Sequence, residues 1–209
     1  MRKVLGVTCL AIGVMLLSGA LALFLWNQKE ADNAGRTSTD VMPLLSEVIA
    51  EKGGQNTSAP DVLPGSLPEL LPPEKKQMTE EIINGYPYIG YLSIPGLELD
   101  LPVMSQWSES RLKVAPCRYS GTTMENNLVL VAHNYSTHFG YIGHLHPGDP
   151  VMFSDMDGAV TCYQVAAVDV VLPEAVEEVT MGAFDLALVT CTYGGKTRLV
   201  VYCDVCASE

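Results

Sequence analysis

The distribution of apolar and polar positions divides the chain into three stretches. No charged residue interrupts the segment from Val4 to Trp26, and about 20 apolar residues suffice for a helix to cross the hydrocarbon core of a membrane. Arg2 and Lys3 precede it, a flank that keeps an N-terminus cytoplasmic and sends the chain beyond the span outside. A cleaved signal peptide carries an apolar core of only about 7 to 15 residues, so an uncleaved signal-anchor over residues 1–26 is the stronger expectation, although Ala20-Leu21-Ala22 offers small residues for cleavage. Residues 27–80 turn small, polar and proline-rich, the composition of an extracellular stalk. Within it Asp40 can cap a short helix over 41–52, with Val41, Leu44, Leu45, Val48 and Ile49 as its apolar positions and Gly53-Gly54 as its stop. Pro60, Pro64, Pro68, Pro72 and Pro73 exclude helix or central strand beyond it.

From residue 81 onward the apolar positions come in short runs rich in β-branched and aromatic residues, separated by Gly, Pro, Asn and Asp. This pattern predicts strands over 89–94, 99–103, 128–133, 150–154, 159–172, 186–191 and 197–203. Short helices are expected only over 109–114 and 173–179. Seven or so strands with little helix fit a barrel or a sandwich, and composition does not choose between them. The expected organisation is a single catalytic-sized domain over 81–209.

Charge removes one class of partner. The chain has 24 acidic and 12 basic residues, a net charge of -12, and a phosphate-binding protein needs a basic stripe. Of the six cysteines, Cys9 lies in the apolar N-terminus, which leaves Cys117, Cys162, Cys191, Cys203 and Cys206 in the rest. That number is odd, so at least one of these thiols is free unless it pairs with Cys9 or with another molecule.

The densest chemistry lies in the segment from Leu186 to Tyr202. Gly194-Gly195 is a hairpin signal, because both central positions of a type I′ turn need positive φ. With those glycines at the turn, Thr192 faces Thr197 and Cys191 faces Arg198. Directly opposed residues of an antiparallel pair project from the same face, so a thiol and a guanidinium share one spot. A nearby cation favours the thiolate, the nucleophilic form of cysteine. The guanidinium fork can hold an oxyanion or a carbonyl and cannot serve as a base. The bland alternative is a core cysteine beside a surface arginine. An acid or base is offered by His133, which ends the uncharged run Leu128-Val129-Leu130-Val131-Ala132 at a sheet edge.

Val189-Thr190-Cys191, followed by Arg198-Leu199-Val200-Val201 and preceded by Val131-Ala132-His133-Asn134, resembles the His, Thr-Cys and Arg signature of the sortases. Ile89-Gly90-Tyr91-Leu92-Ser93-Ile94-Pro95, Leu101-Pro102-Val103 and Gly148-Asp149-Pro150-Val151 resemble further segments of that family, so the likeness spans about 86–203. It implies a closed eight-stranded β-barrel, preceded by the transmembrane helix and stalk, without metal or cofactor. It also implies a cysteine transpeptidase acting on a Leu-Pro-x-Thr-Gly-like sorting motif near the C-terminus of a surface protein. Cys191 is the expected nucleophile, His133 the acid and base, and Arg198 the oxyanion stabiliser. Thr190, Ala132 and Asn134 beside them are the candidates for substrate binding. The expected acceptor is an amine, from a cell-wall precursor peptide or a pilin lysine. Neither a second apolar span after Cys203 nor an Asp-Pro-aromatic lid motif in the stalk is present, which argues against a pilin-polymerising layout and for a wall-anchoring role.

Rival readings are weaker. His133, His138, His144 and His146 cluster in sequence, but Gly140, Gly143 and Pro147 make the region a loop and no zinc-peptidase spacing occurs. Cys203-Asp204-Val205-Cys206 has redox or zinc spacing without a second such pair. Glu174, Glu177 and Glu178 are a solvated acidic face before they are a calcium site. A non-catalytic anchored β module with Cys191 packed inside, and a purely hydrolytic cysteine peptidase, remain as alternatives.

Overall fold

The computed structural model describes residues 2–53, 77–175 and 184–206. One long helix, α1 (Arg2–Gly53), leads into nine strands: β1 (Glu81–Ile83), β2 (Tyr86–Ile94), β3 (Leu99–Met104), β4 (Cys117–Ser120), β5 (Leu128–Val131), β6 (Pro150–Asp155), β7 (Val160–Val171), β8 (Leu186–Cys191) and β9 (Arg198–Val205). A single helical turn, α2 (Glu109–Leu112), precedes β4. Its N-cap is Ser108, whose hydroxyl accepts from the Arg111 N–H at 3.2 Å.

Strand order is β1-β2-β3-β4-β5-β8-β9-β7-β6, and β6 pairs back onto β2. Eight strands therefore close into a barrel, as the family resemblance implies, and β1 is an extra strand hairpinned onto β2 outside the ring. Closure depends on Gly90, at φ 144°, where a Cβ would lie 2.0 Å from the Ser154 carbonyl oxygen of β6. Only glycine permits that approach.

The barrel interior is filled by Leu92, Ile94, Leu101, Leu128, Leu130, Phe153, Tyr163, Leu186, Leu188 and Val201, with Phe139, Ile142 and Leu145 from the connection after β5. Strands β5 and β8 are buried on their second face as well, where Val129, Ala187 and Val189 meet Val200 of β9. Burial on both faces is why these two strands read as continuous apolar runs.

Residues 27–40, expected as stalk, are helical, and the short helix expected over 41–52 is the last part of α1. Two sequence patterns sustain that one helix. From Leu10 through Trp26 its apolar side chains are bare, with Leu17 74% and Trp26 69% exposed, and the segment is long and apolar enough for a single membrane span. Beyond it, Ala31, Ala34, Ser38, Val41 and Leu45 recur every three to four residues and are buried. Val41 and Leu45 join Ile83, Tyr88, Met104, Ala115, Cys117 and Met156 in a cluster between helix and barrel. Lys52 pairs with Glu81, and the Thr137 hydroxyl donates to the Ala31 carbonyl at 2.9 Å. The prolines of 60–73 lie outside the described residues, as does the part of the expected 173–179 helix beyond the 3₁₀ turn Pro173–Ala175.

Candidate active site

The β8–β9 hairpin has the anticipated register: Cys191 pairs with Arg198 and Thr190 with Leu199. Gly194 and Gly195 both have positive φ, 86° and 71°, but the Gly195 N–H donates to the Thr192 carbonyl at 2.9 Å, so the turn spans Thr192–Gly195 with Tyr193 and Gly194 at its centre and is not the two-glycine type I′ turn expected. The Thr192 N–H donates to the Thr197 carbonyl at 3.1 Å, so Cys191 and Arg198 form the adjacent non-hydrogen-bonded pair, the kind in which opposed side chains approach most closely. The Arg198 guanidinium leans on its own turn, Nη1 donating to the Gly195 carbonyl at 3.0 Å and the Thr197 carbonyl at 3.2 Å.

The third side chain arrives through a pairing that no turn announces. β5 runs parallel to β8 with Val131 opposite Val189, and the Ala132 N–H continues the ladder by donating to the Val189 carbonyl at 3.1 Å. Two residues further along each chain stand His133 and Cys191, which line the same cleft. His133 stands beyond the strand, which ends at Val131 instead of running to 133 as expected.

Strand alternation gives these residues a common face. Val129, Val131 and His133 alternate on one side of β5, Ala187, Val189 and Cys191 on the same side of β8, and Tyr202, Val200 and Arg198 on that of β9. This is the outer face of the barrel, opposite Leu128, Leu130, Leu186, Leu188 and Val201. The apolar outer face thus ends in a thiol, an imidazole and a guanidinium that line one cleft of about 400 Å³.

Trp107, Glu109, Leu112 and Tyr119 wall one side of that cleft, with Pro173 also in its lining. The Trp107 and Tyr119 rings stack at 5.9 Å. Sequence reading missed this wall; a tryptophan in a polar loop was the available signal. Thr190 and Ala132 also contribute to the lining, but Thr190 is buried on the inner face and its hydroxyl donates to the Ala132 carbonyl at 2.9 Å. Asn134 is half-buried and lies outside the set of cleft-lining residues.

Electrostatics separate the two histidines of this region. Burial lowers the pKa of His133 below the ordinary imidazole value; Glu109 and Glu30 oppose the shift and Lys113 adds to it. Glu30 reaches the neighbourhood from α1 and pairs with Lys113 at 3.7 Å. His138 is fully buried and is pushed down to about 4, chiefly by burial and further by His133. Its ring lies 5.5 Å from Tyr135, which in turn lies 4.9 Å from His133. His144 stacks on Tyr141 and His146 faces Asp149. No group of three or more His, Cys, Asp or Glu among the described residues is placed to hold a metal ion. Glu177 and Glu178 lie outside the described residues.

A family model described as Sortase domain matches residues 92–206. Among solved structures, sortase C of Streptococcus pneumoniae is 27% identical, covering 58% of this chain and 70% of its own, with a TM-score of 0.52. Sortase C1 of Streptococcus agalactiae is 26% identical, with coverages of 61% and 72% and a TM-score of 0.54. For sortase C1 of Streptococcus suis the values are 26%, 58%, 74% and 0.52. The curated proteins yielded no match. The likeness to sortase C structures overturns the expectation that pointed away from the pilin-polymerising class. That expectation rested on segments outside the barrel, a lid motif and a second span, whereas the likeness covers little more than the barrel itself.

Proposed function

Because the chain belongs to the sortase family of cysteine transpeptidases, we propose that it cleaves a Leu-Pro-x-Thr-Gly-like sorting motif through a thioacyl intermediate on Cys191. The observation that carries this reading is the single cleft lined by Cys191, His133 and Arg198. The Cys191 thiolate attacks the carbonyl carbon of the scissile bond. Charge develops on the carbonyl oxygen, where Arg198 can meet it: one nitrogen of its fork is held by the turn carbonyls, and among the described residues Nε and Nη2 have no hydrogen-bond partner, which leaves them for the substrate. His133, in the same cleft lining as Cys191, protonates the leaving amine. It then takes a proton from the incoming amine, whose attack releases the joined product, expels the Cys191 thiolate and restores the starting pair. Partial burial of His133 favours the neutral imidazole that the second step requires.

The anchor fixes the geography of the reaction. Arg2 and Lys3 hold the N-terminus in the cytoplasm, and the barrel works outside, on surface proteins that carry a C-terminal sorting signal. The acceptor is an amine, and the likeness to a sortase C studied for its pilin substrate specificity supports a lysine amine as the first acceptor to test, beside an amine of a cell-wall precursor peptide.

Incubation of the purified chain with sorting-motif peptides and either a wall-peptide amine or a lysine-bearing peptide, followed by mass spectrometry, tests the reading. A thioester on Cys191 and an amide-linked product are expected, and both vanish in Cys191→Ala. Hydrolysed peptide alone, with every amine tried, would establish a peptidase instead. Turnover surviving in Cys191→Ala would remove the assignment altogether.

A further inference from the structure

A second pair of sulfurs lies on the outer surface, on the far side of the β7–β9 ladder from the turn that carries Arg198. Tyr163 of β7 pairs with Val205 of β9. One step outward, the Cys206 N–H donates to the Cys162 carbonyl at 2.9 Å. Cys162 and Cys206 are therefore directly opposed in a hydrogen-bonded antiparallel pair, whose Cα atoms stand about 5.5 Å apart, inside the range of about 4.4 to 6.8 Å that a disulfide spans.

Alternation puts both thiols on one face, because Tyr163 and Val165 point into the barrel and their neighbours point out. The two thiols influence each other: the Cys162 side chain is the main cause that raises the pKa of Cys206. Cys162 is exposed and Cys206 half-buried, so a small oxidant can reach them, whereas Cys117 and Cys203 are sealed in the core. We propose that Cys162 and Cys206 form an intrachain disulfide that staples the end of β9 to the start of β7. Three of the five cysteines of the barrel domain are then accounted for without a bridge, Cys117 and Cys203 by burial and Cys191 by the cleft.

The step needs a disulfide of low molecular weight as oxidant. The Cys162 thiolate attacks it, forming a mixed disulfide and expelling one thiolate. The Cys206 thiolate then attacks the Cys162 sulfur and expels the second thiolate, so two protein thiols become one disulfide while the reagent is reduced to two thiols. The closed loop runs from β7 through β8 to the end of β9, and a long loop gives a bridge most of its leverage on the unfolded chain. Persistence of the bridge in the cell rests on the reading that the barrel lies outside the membrane, in an oxidising setting. Its formation in the purified protein does not.

The test treats the full-length chain in detergent with glutathione disulfide, blocks remaining thiols by alkylation, and maps peptides with and without prior reduction. A Cys162–Cys206 cross-linked peptide that disappears on reduction is expected. The oxidised protein should melt higher than the reduced one by on the order of 10 °C, and Cys206→Ser should remove that difference. Stable glutathione adducts on Cys162 with Cys206 still alkylatable, or equal melting temperatures in both redox states, would overturn the bridge. Cleavage of sorting peptides is followed in parallel in Cys162→Ser. Activity there without a cross-link separates failure of this proposal from failure of the transpeptidase reading.

Discussion

The two ends of the β8–β9 ladder present sulfur to two different environments. At one end Leu186 pairs with Cys203, and at the other Cys191 pairs with Arg198. Cys203 points into the barrel, fully buried, and burial pushes its thiol up to about 12, with Asp204 adding to the shift. Cys117, near α1, is raised to about 12 for the same first reason. Cys191 points outward, sits half-exposed at the end of its strand, and looks across at a guanidinium. Residue type is shared; strand parity and distance from the open end decide which sulfur can do chemistry. His133 and His138 repeat the contrast within six residues of chain, one in the cleft wall and one sealed behind it.

The widest separation should appear in thiol reactivity. With pKa values near 12, Cys117 and Cys203 hold roughly one thiolate in ten thousand at pH 8. Iodoacetamide at that pH should therefore label Cys191 of the folded, reduced protein, half-exposed in the cleft, far faster than either of these sealed thiols, as read by time-resolved peptide mapping. Comparable rates would mean that Cys191 is not a cleft thiol. Next in size, Arg198→Ala should lower kcat/KM about a hundredfold, on the order of 3 kcal/mol of transition-state stabilisation, with the fold intact by circular dichroism. Near-normal turnover would leave the oxyanion to backbone donors alone.

The histidine contrast gives a stability signature. An unfolded imidazole titrates near 6.5, and folded His138 is lowered to about 4 by burial. Between about pH 6.5 and about pH 4 the unfolded chain thus binds more protons than the folded one. The stability this group contributes is complete above the upper value and is lost as pH falls through the window, to a total of about 3 kcal/mol. His133 is shifted in the same direction and adds the same sign. Urea melts at pH 7, 5.5 and 4.5 should show the loss, and His138→Phe should reduce it. An equal pH slope in both proteins would mean that His138 is not desolvated in the folded chain.

The hairpin end of this comparison is legible in the sequence, because Gly194 and Gly195 fix the turn and alternation does the rest. The β5–β8 pairing is not. Parallel partners are joined by a long connection that imposes no register, so nothing local to Val131 or Val189 says that they meet, and it is this contact that delivers His133. β1 and β4 escape sequence reading for a different reason: three or four residues are too few to establish a period of two. The helical course of α1 past Trp26 is hidden by composition. Ala31, Ala34, Gly35 and Ser38 look like stalk, yet small residues are what lets the helix lie against the barrel. A Cβ on Gly35 would come within 2.7 Å of the Thr137 side chain.

The smallest predicted effect joins the two faces of the sheet. Thr190 belongs to the inner face, like Leu186 and Leu188, but the bond from its hydroxyl to the Ala132 carbonyl pins the backbone one residue before His133 and one before Cys191. Thr190→Val keeps the shape and removes the donor, leaving a buried carbonyl with one partner fewer, a loss of about 1 to 2 kcal/mol in stability. If that bond also sets the height of His133 against the sulfur, kcat should fall several-fold while KM for the sorting peptide stays near its original value, because an untouched outer face still binds peptide. A denaturation midpoint lowered with kcat unchanged would make Thr190 a core residue only. A raised KM at constant kcat would make it part of the peptide site, contrary to its inward orientation.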